Sequence, residues 1–219
     1  MDEYWKIRIS NIRMNTFITN KSAARIVSFF FHPMLMPALS FLLLMNINFY
    51  FSNIPFVAKG SLFLTIFSTT FLLPGIVFLL MSTSPEFDLR MEKRKDRVFP
   101  LMITIISYYV GYFILSRIPI FPVYKVFMIS SILTLIVLLV ITMWWKVSLH
   151  MAGIAGLTGA IVALSFRLGH NSSILIMVLV MIAGVLGTSR LILEKHSPAQ
   201  IFVGYIVGFT ANFLIIYFI

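Results

Sequence analysis

Long apolar runs separated by short polar segments dominate this chain. Seven runs are found, at residues 27–50, 60–82, 98–116, 125–146, 150–168, 172–189 and 201–219. A helix needs about 20 predominantly apolar residues to cross the hydrocarbon core of a bilayer. The pattern therefore predicts an all-α fold, a polytopic membrane helix bundle with about six or seven transmembrane helices.

The composition agrees with a chain that lies mostly in lipid. Of its 219 residues, 60% are hydrophobic and only 11% are charged, whereas a soluble domain averages about 25% charged residues. Because apolar runs occupy nearly the whole length, no room is left for a soluble domain. We expect a basic N-terminal segment, residues 1–25, followed by a single transmembrane domain, residues 26–219, without a linker.

Two absences limit the possible chemistry. The chain has no cysteine, which excludes disulfides and thiolate metal sites. Histidines and carboxylates are not clustered at metal-ligand spacing, so we expect no metal and no cofactor. Residues 1–25 are polar and basic and lack the short apolar core of a cleavable signal peptide. The first apolar run is therefore expected to remain in the mature protein.

Basic residues are distributed unevenly between the two sides of the predicted bundle. The formal net charge is +10, and seven spans would put 13 basic residues on the N-terminal side and 4 on the other. Setting aside Arg90, Arg97 and Arg190 as candidate ligand groups leaves 10 against 4. Positive loops stay inside, which places the N-terminus in the cytoplasm and the protein in the inner (plasma) membrane. Short basic loops attract anionic lipid heads, so no nucleic-acid partner is expected.

The first polar segment of chemical interest covers residues 84–97. Ser84 followed by Pro85 is typical of a helix start. If that helix continues, Arg90 and Arg97 share one face, with their Cα atoms about 10.5 Å apart. Arginine side chains are long enough for the two guanidinium groups to reach one ligand from that separation. Taken alone, the segment is better explained as a solvated basic loop that anchors the protein to lipid heads.

The second segment begins at Lys146 and leads into the fifth apolar run. Ser148 is in position to be the N-cap of that helix, and His150 would lie in its first turn. The unpaired amides of a helix N-terminus form a natural anion site. An ordinary cap next to an interfacial histidine is an equally good explanation.

The third segment connects the sixth and seventh runs. Arg190 ends the sixth run and could simply extend its charge to the interface, while His196 precedes the seventh. Ser197 and Gln200 have the spacing of a capping box, with Pro198 at the first helical position. Gln200 is therefore either a helix cap or a partner of His196.

The predicted topology brings all three segments to one side of the membrane. His150 and His196 lie there among arginines, whereas His32, beside Pro33, is expected to be structural and His170 to be solvated on the opposite side. Histidines and arginines without a metal-ligand pattern suit metal-free phosphoryl transfer. One imidazole would attack phosphorus, the other would move a proton, and the guanidinium groups would hold the oxygens.

These segments resemble the signatures of the type 2 phosphatidic acid phosphatase (PAP2) superfamily. Its first signature is Lys or Arg, six residues, then Arg-Pro. Arg90 and Arg97 have this spacing, with Val98 in place of the proline. The second signature is Pro-Ser-Gly-His. Ser148-Leu149-His150 matches it, except that Val147 replaces the proline and leucine replaces the glycine.

The third signature is Ser-Arg, five residues, His, three residues, Asp. Ser189-Arg190 and His196 match it, but Gln200 stands where the family has aspartate. The order and spacing of the three signatures agree across residues 90–200, about half of the chain.

The resemblance implies a role for each matching residue. His196 would be the nucleophile that forms a phosphohistidine, and His150 would protonate the leaving alcohol and then activate water. Gln200 would orient His196. The phosphate would be held by Arg90, Arg97, Ser148, the Leu149 amide, Ser189 and Arg190. An amide accepts the imidazole N–H bond but does not stabilise imidazolium as a carboxylate does. The corresponding change in a serine protease triad costs about 10⁴ in rate.

Three hypotheses of function follow. The leading one is a lipid phosphatase whose substrate is phosphatidate, phosphatidylglycerophosphate or a polyprenyl phosphate or pyrophosphate. The second is a catalytically weak or inactive relative that binds or transports a lipid phosphate. The third is an unrelated small transporter whose cationic face only anchors it among membrane lipids. The sequence identifies neither the lipid nor the oligomeric state.

Overall fold

A computed structural model describes residues 21–47, 54–83 and 95–219. Within these ranges the secondary structure is helical throughout. The helices are α1 (residues 21–30), α2 (Met36–Leu44), α3 (Phe56–Phe67), α4 (Leu73–Met81), α5 (Val98–Ser116), α6 (Pro122–Trp144), α7 (Leu149–Leu168), α8 (Ser173–Ile192) and α9 (Pro198–Phe218).

Six helical spans in the described ranges are long and apolar enough to cross a membrane. Five of them are α5 to α9, and the sixth is the continuous segment Phe56–Met81. Each corresponds to one of the last six apolar runs. The predicted all-α membrane bundle is therefore confirmed, and the chain is an integral membrane protein.

The span Phe56–Met81 contains a π-helical turn, Ser68–Leu72, between α3 and α4. A π-turn commonly relieves a local constraint inside a helix. Pro74 follows it and has no backbone N–H to donate. The hydroxyls of Thr69 and Thr70 donate to the carbonyls of Thr65 and Ile66, both at 2.8 Å. These bonds satisfy polar side chains that would otherwise be buried alone in an apolar span.

The first apolar run does not form one long helix. Helix α1 ends at residue 30 and α2 begins at Met36, so residues 31–35 form an elbow between them. Pro33 explains the break, because proline lacks a backbone N–H and disfavours helical geometry at the residue before it, His32. The boundary predicted between residues 25 and 26 falls inside α1.

Helix α1 lies against the end of the bundle at which α7 and α9 begin. Lys21 Nζ is 3.8 Å from Glu194 Oε1 in the α8–α9 loop. The carbonyl of Ser28 is 3.2 Å from His150 Nε2 in the first turn of α7. Both ends of α1 are thus near that face. Helix α2 then leads inward, where Phe41 packs against the ring of Tyr124 in α6.

The closest helix pair is α7 with α9, and glycines permit the approach. A Cβ added to Gly204 would lie 2.5 Å from the Ser148 carbonyl oxygen. One added to Gly156 would lie 2.8 Å from Asn212 Nδ2. A Cβ at Gly208 would collide with the backbone of Ala152. Glycines on α7 and α9 therefore allow these two helices to pack with their backbones close together.

A buried polar network joins α9 to α6. Ser130 Oγ donates to Asn212 Oδ1 at 2.7 Å, and Asn212 Nδ2 donates to Thr134 Oγ1 at 3.0 Å. Polar groups in an apolar interior are stable when they satisfy one another. The network and the glycine contacts together fix α9 against both of its neighbours.

Candidate functional site

A cavity of about 490 Å³ opens at the end of the bundle where α5, α7 and α9 begin. Its arginine and histidine lining comes from five different parts of the chain, namely His32, Arg97, His150, Arg190 and His196. These parts are the elbow, the start of α5, the first turn of α7, the last turn of α8 and the α8–α9 loop. The cavity thus collects two guanidinium groups and three imidazoles.

The nine residues proposed from the sequence have different placements. Five line the cavity: Arg97, Leu149, His150, Arg190 and His196. Three are not among its lining residues: Ser148, Ser189 and Gln200. Arg90 lies outside the described residues. Convergence of the five is a geometric finding, while their roles in binding and catalysis stay predictions.

His196 is held by the loop that precedes α9. Its Nδ1 lies 3.2 Å from Gln200 Oε1, and the same oxygen accepts the backbone N–H of Ser197 at 3.2 Å. The Gln200 backbone N–H donates to Ser197 Oγ at 3.4 Å, which completes the predicted capping box. Gln200 therefore caps α9 and also contacts His196, while a catalytic role for Gln200 stays a prediction.

The capping box also fixes the tautomer of His196. A backbone N–H needs an acceptor, so the Gln200 atom that it contacts is the amide oxygen. His196 Nδ1 contacts that oxygen and must therefore carry the proton. Nε2 is then left with the lone pair. This is the tautomer that a nitrogen nucleophile at Nε2 requires.

The surroundings of His196 favour its neutral form. Burial and the nearby positive charges of Arg190 and Arg97 lower its pKa to about 3, against the smaller opposing effect of the Gln200 bond. Only 8% of the residue is exposed. At neutral pH the imidazole therefore carries no charge, and its lone pair is available without prior loss of a proton.

His150 is held by a group outside the three motif segments. Its Nε2 faces the Ser28 carbonyl of α1 at 3.2 Å. A carbonyl only accepts hydrogen bonds, so Nε2 carries the proton and Nδ1 is the nitrogen able to exchange one. Helix α1 therefore sets the tautomer of His150, a contribution that the sequence analysis missed because it depends on a backbone atom 122 residues away.

Ser148 occupies the predicted N-cap position of α7, but its hydroxyl makes no capping bond. Its Oγ is buried without a hydrogen-bond partner among the described residues. Its backbone N–H donates to the carbonyl of Gln200 at 3.2 Å, which ties the start of α7 to the start of α9. Ser189 is also absent from the cavity lining, and its Oγ donates to Val185 O at 2.8 Å.

The two arginines give the cavity a strongly cationic end. Arg97 is the N-cap residue of α5, and burial lowers the pKa of its guanidinium. Arg190 is in the last turn of α8, and its Nε is buried with no hydrogen-bond partner in the described part of the chain. A buried donor left unpaired is costly.

His32 is a lining residue that was not among the proposed site residues. It lies in the elbow, and its ring centroid is 5.5 Å from that of His150. The expectation that it is structural stays a prediction. The dipeptide His32-Pro33 carried a usable signal, because a proline that breaks a helix leaves the preceding polar side chain at the break.

The remainder of the cavity is apolar. Its wall includes Phe71 and Phe78 from the π-turn and α4, and Leu101 from α5. Gly75 keeps this wall open, since a Cβ there would meet only Met34 Cε, at 3.9 Å. The cavity therefore joins a cationic end to a hydrophobic surface of the kind that contacts an acyl or prenyl chain.

Within the described ranges, no group of three or more His, Cys, Asp or Glu side chains is placed to hold a metal ion. Independence from metals stays a prediction. Comparison with known proteins found no matching family model, no similar curated protein and no similar solved structure. What is established for the described residues is an integral membrane protein with six helical spans long and apolar enough to cross a membrane, and a cavity lined by two arginines and three histidines.

Proposed function

We propose that this protein is a divergent relative of the PAP2 superfamily that hydrolyses the phosphomonoester or pyrophosphate of a membrane lipid. The observation that carries the proposal is the dual character of one cavity. Arg97, Arg190 and the imidazoles form its polar end, and the α4–α5 wall is apolar. A lipid phosphate has two complementary parts, an anionic headgroup and an apolar chain.

Binding would rest on charge and on helix geometry. The guanidinium groups of Arg97 and Arg190 present several N–H donors that match phosphate oxygens. The Leu149 amide belongs to the first turn of α7, where the helix dipole favours an anion. The acyl or prenyl chain would lie along the wall near Phe71 and Phe78.

The first chemical step would form a covalent intermediate. His196 Nε2 would attack phosphorus, forming the N–P bond while the P–O bond to the lipid breaks. His150, protonated at Nδ1, would give that proton to the leaving oxygen, which departs as the alcohol. The arginines would stabilise the charge that develops on the equatorial oxygens.

The second step would restore the protein. Neutral His150 Nδ1 would take a proton from water as the water oxygen attacks phosphorus and the N–P bond breaks. Inorganic phosphate would leave, His196 Nε2 would regain its lone pair and His150 would again hold the proton. Throughout, the Gln200 oxygen would keep the His196 proton on Nδ1.

A second function is favoured by one specific observation. Gln200 is a neutral amide, so it orients His196 without stabilising positive charge on the ring. A protein that binds or transports a lipid phosphate needs the arginines and the cavity but no such stabilisation. Binding without turnover is therefore the alternative.

The decisive experiment uses purified protein and a panel of phosphatidate, phosphatidylglycerophosphate and polyprenyl phosphate, with release of inorganic phosphate and lipid binding measured in parallel. We expect release from at least one lipid, and its abolition with retained binding in His196→Ala. His170→Ala, in the turn at the opposite end, is the matched control. Tight binding without release would favour the alternative, and neither binding nor release would overturn both.

The site is proposed to face the cytoplasm at the inner membrane, from the 10-against-4 charge distribution of the loops. Lys59→Cys and Lys95→Cys probe the two sides by labelling in intact cells. Labelling of Lys95→Cys from outside would reverse the orientation and favour recycling of a polyprenyl phosphate on the outer leaflet.

A further inference from the structure

The elbow between α1 and α2 supplies a lining residue that no sequence motif accounts for. His32 lines the same cavity as His150 and His196. Its ring is perpendicular to that of His150, with an interplanar angle of 81° and a centroid distance of 5.5 Å. A third imidazole therefore lies at the cationic end of the cavity, on a part of the chain far from the three motif segments.

The hydrogen bond of His32 to the backbone determines which ring nitrogen can serve a ligand. The Met34 backbone N–H donates to His32 Nδ1 at 3.4 Å. In a neutral imidazole the acceptor nitrogen is unprotonated, so the proton is on Nε2. No group among the described residues accepts a hydrogen bond from Nε2. This N–H is consequently available to a molecule in the cavity.

We propose that His32 is a further ligand-contacting residue, whose Nε2–H donates a hydrogen bond to an oxygen of the phosphate bound by Arg97 and Arg190. The proposal rests on the proposed function for the nature of the anion. It makes the first apolar segment part of the binding site. The elbow created by Pro33 would then have a function beyond breaking the helix, because in a continuous helix the Met34 N–H would donate to the carbonyl four residues earlier instead of to His32 Nδ1.

The competing explanation is that His32 only stabilises the elbow, through its Nδ1 acceptor and its contact with His150. Two substitutions separate these roles. His32→Gln keeps an N–H donor near the position of Nε2 and loses the acceptor close to the backbone. His32→Asn keeps an acceptor near the position of Nδ1 and loses the distant donor. Both replace the ring by an uncharged amide.

The measurement is the affinity for whichever of phosphatidate, phosphatidylglycerophosphate and polyprenyl phosphate binds the wild type most tightly. Loss of one hydrogen bond to a charged group weakens binding by about 10-fold or more. We expect that loss for His32→Asn and a change of less than about 3-fold for His32→Gln. The opposite order, or equal affinities for wild type and both variants, would overturn the proposal. Thermal unfolding of each variant shows whether the elbow has remained folded.

Chemical protection provides a second readout in the unmodified protein. Diethyl pyrocarbonate acylates accessible imidazole nitrogens, and mass spectrometry resolves the modification of each histidine. The same lipid phosphate, compared with dioleoylglycerol, should protect His32 and His196 and leave His170 unchanged. Protection of His196 without His32 would refute the role of His32 while the proposed function stands. Absence of both binding and protection would refute the proposed function and this inference together.

Discussion

Two halves of the bundle differ sharply in how tightly they pack. Helix α7 is the most buried span, with 67% of its most apolar window buried, against 28% in Phe56–Met81 and 22% in α9, so the difference in packing lies in the contacts between helices. Glycines bring α7 and α9 into backbone contact, whereas the α4–α5 side borders the cavity. We call α7 and α9 the tight half, and His150 and His196 lie at its end. We call the span Phe56–Met81 and α5 the loose half, and it supplies the hydrophobic wall.

The difference has a physical reason. Reacting groups must be held within a fraction of an ångström of their productive geometry, which requires a rigid support. The Ser148–Gln200 backbone bond and the glycine contacts provide that support for the two imidazoles. An apolar chain needs only a surface of suitable shape and tolerates small movements of the wall. The proposed chemistry and the proposed lipid contact therefore lie on structurally different halves.

Breaking the tight half should produce the largest effect. In Gly208→Leu the side chain would collide with the backbone of Ala152, and overpacking of this kind commonly costs about 1–3 kcal/mol or more. Backbone atoms cannot move aside without disturbing the helix. We therefore expect Gly208→Leu to lose its monodisperse peak in size-exclusion chromatography and to show a lower Tm in thermal unfolding.

Gly184→Leu in α8 is the matched control, because a Cβ at Gly184 has no atom within 4 Å in the part of the chain that the structure describes. It should purify and unfold like the wild type. Normal folding of Gly208→Leu would show that α7 and α9 do not depend on glycine contact.

Substitution of Gln200 changes the group that contacts His196 and leaves the glycine contacts between α7 and α9 in place. Gln200→Asp restores the carboxylate of the resembled family and should raise kcat, with KM nearly unchanged, as expected for an interaction made in the transition state. Asp is shorter by one methylene, so we expect a gain of about 10-fold, well below the ~10⁴ of a matched triad change.

Gln200→Glu has the same length as the wild-type side chain, so it keeps the capping box and puts a carboxylate oxygen beside His196 Nδ1 without loss of a methylene. Steady-state kinetics on the preferred lipid phosphate gives the answer. If Gln200→Asp releases no phosphate while the lipid still binds tightly, the protein is a binder or transporter.

The charge state of His196 is accessible through the pH dependence of stability. Its folded pKa of about 3 lies below the unfolded value of 6.5, so the unfolded state takes up a proton first as the pH falls. This group therefore destabilises the fold progressively below pH 6.5, and the loss levels off near pH 3.

Between pH 7 and pH 5 the contribution amounts to about 2 kcal/mol at 1.36 kcal/mol per pH unit. His196→Gln should remove it, so the variant's Tm should fall less than that of the wild type over this interval. Equal slopes of Tm against pH would contradict a neutral His196.

A substitution in the cavity wall of the loose half should have the smallest effect on activity and stability. Gly75→Leu would extend a side chain beside Met34 and reduce the cavity volume next to the apolar wall. We expect KM for the lipid phosphate to rise several-fold with little change in Tm. Gly60→Leu is the control, because a Cβ there has no atom of the described residues within 4 Å. A large loss of stability in Gly75→Leu would show that this wall is as closely packed as α7 and α9.

Much of the architecture was readable from the sequence alone. Lipid offers no hydrogen bonds to the backbone, so each span must be a continuous apolar helix, and the last six runs match the six helices closely. The Ser197–Gln200 capping box and the N-cap position of Ser148 are local patterns and were also predicted correctly. The break at Pro33 had a local signal that the length of the apolar run obscured.

The composition of the cavity was decided by tertiary structure. Spacing along the chain brought Arg97, His150, Arg190 and His196 to one face, but it did not determine the direction of each side chain. Packing left Ser148 and Ser189 out of the cavity lining. It also brought His32 and the Ser28 carbonyl to His150 across more than a hundred residues. Such contacts depend on how whole helices pack, and a linear pattern of residue types does not encode them locally.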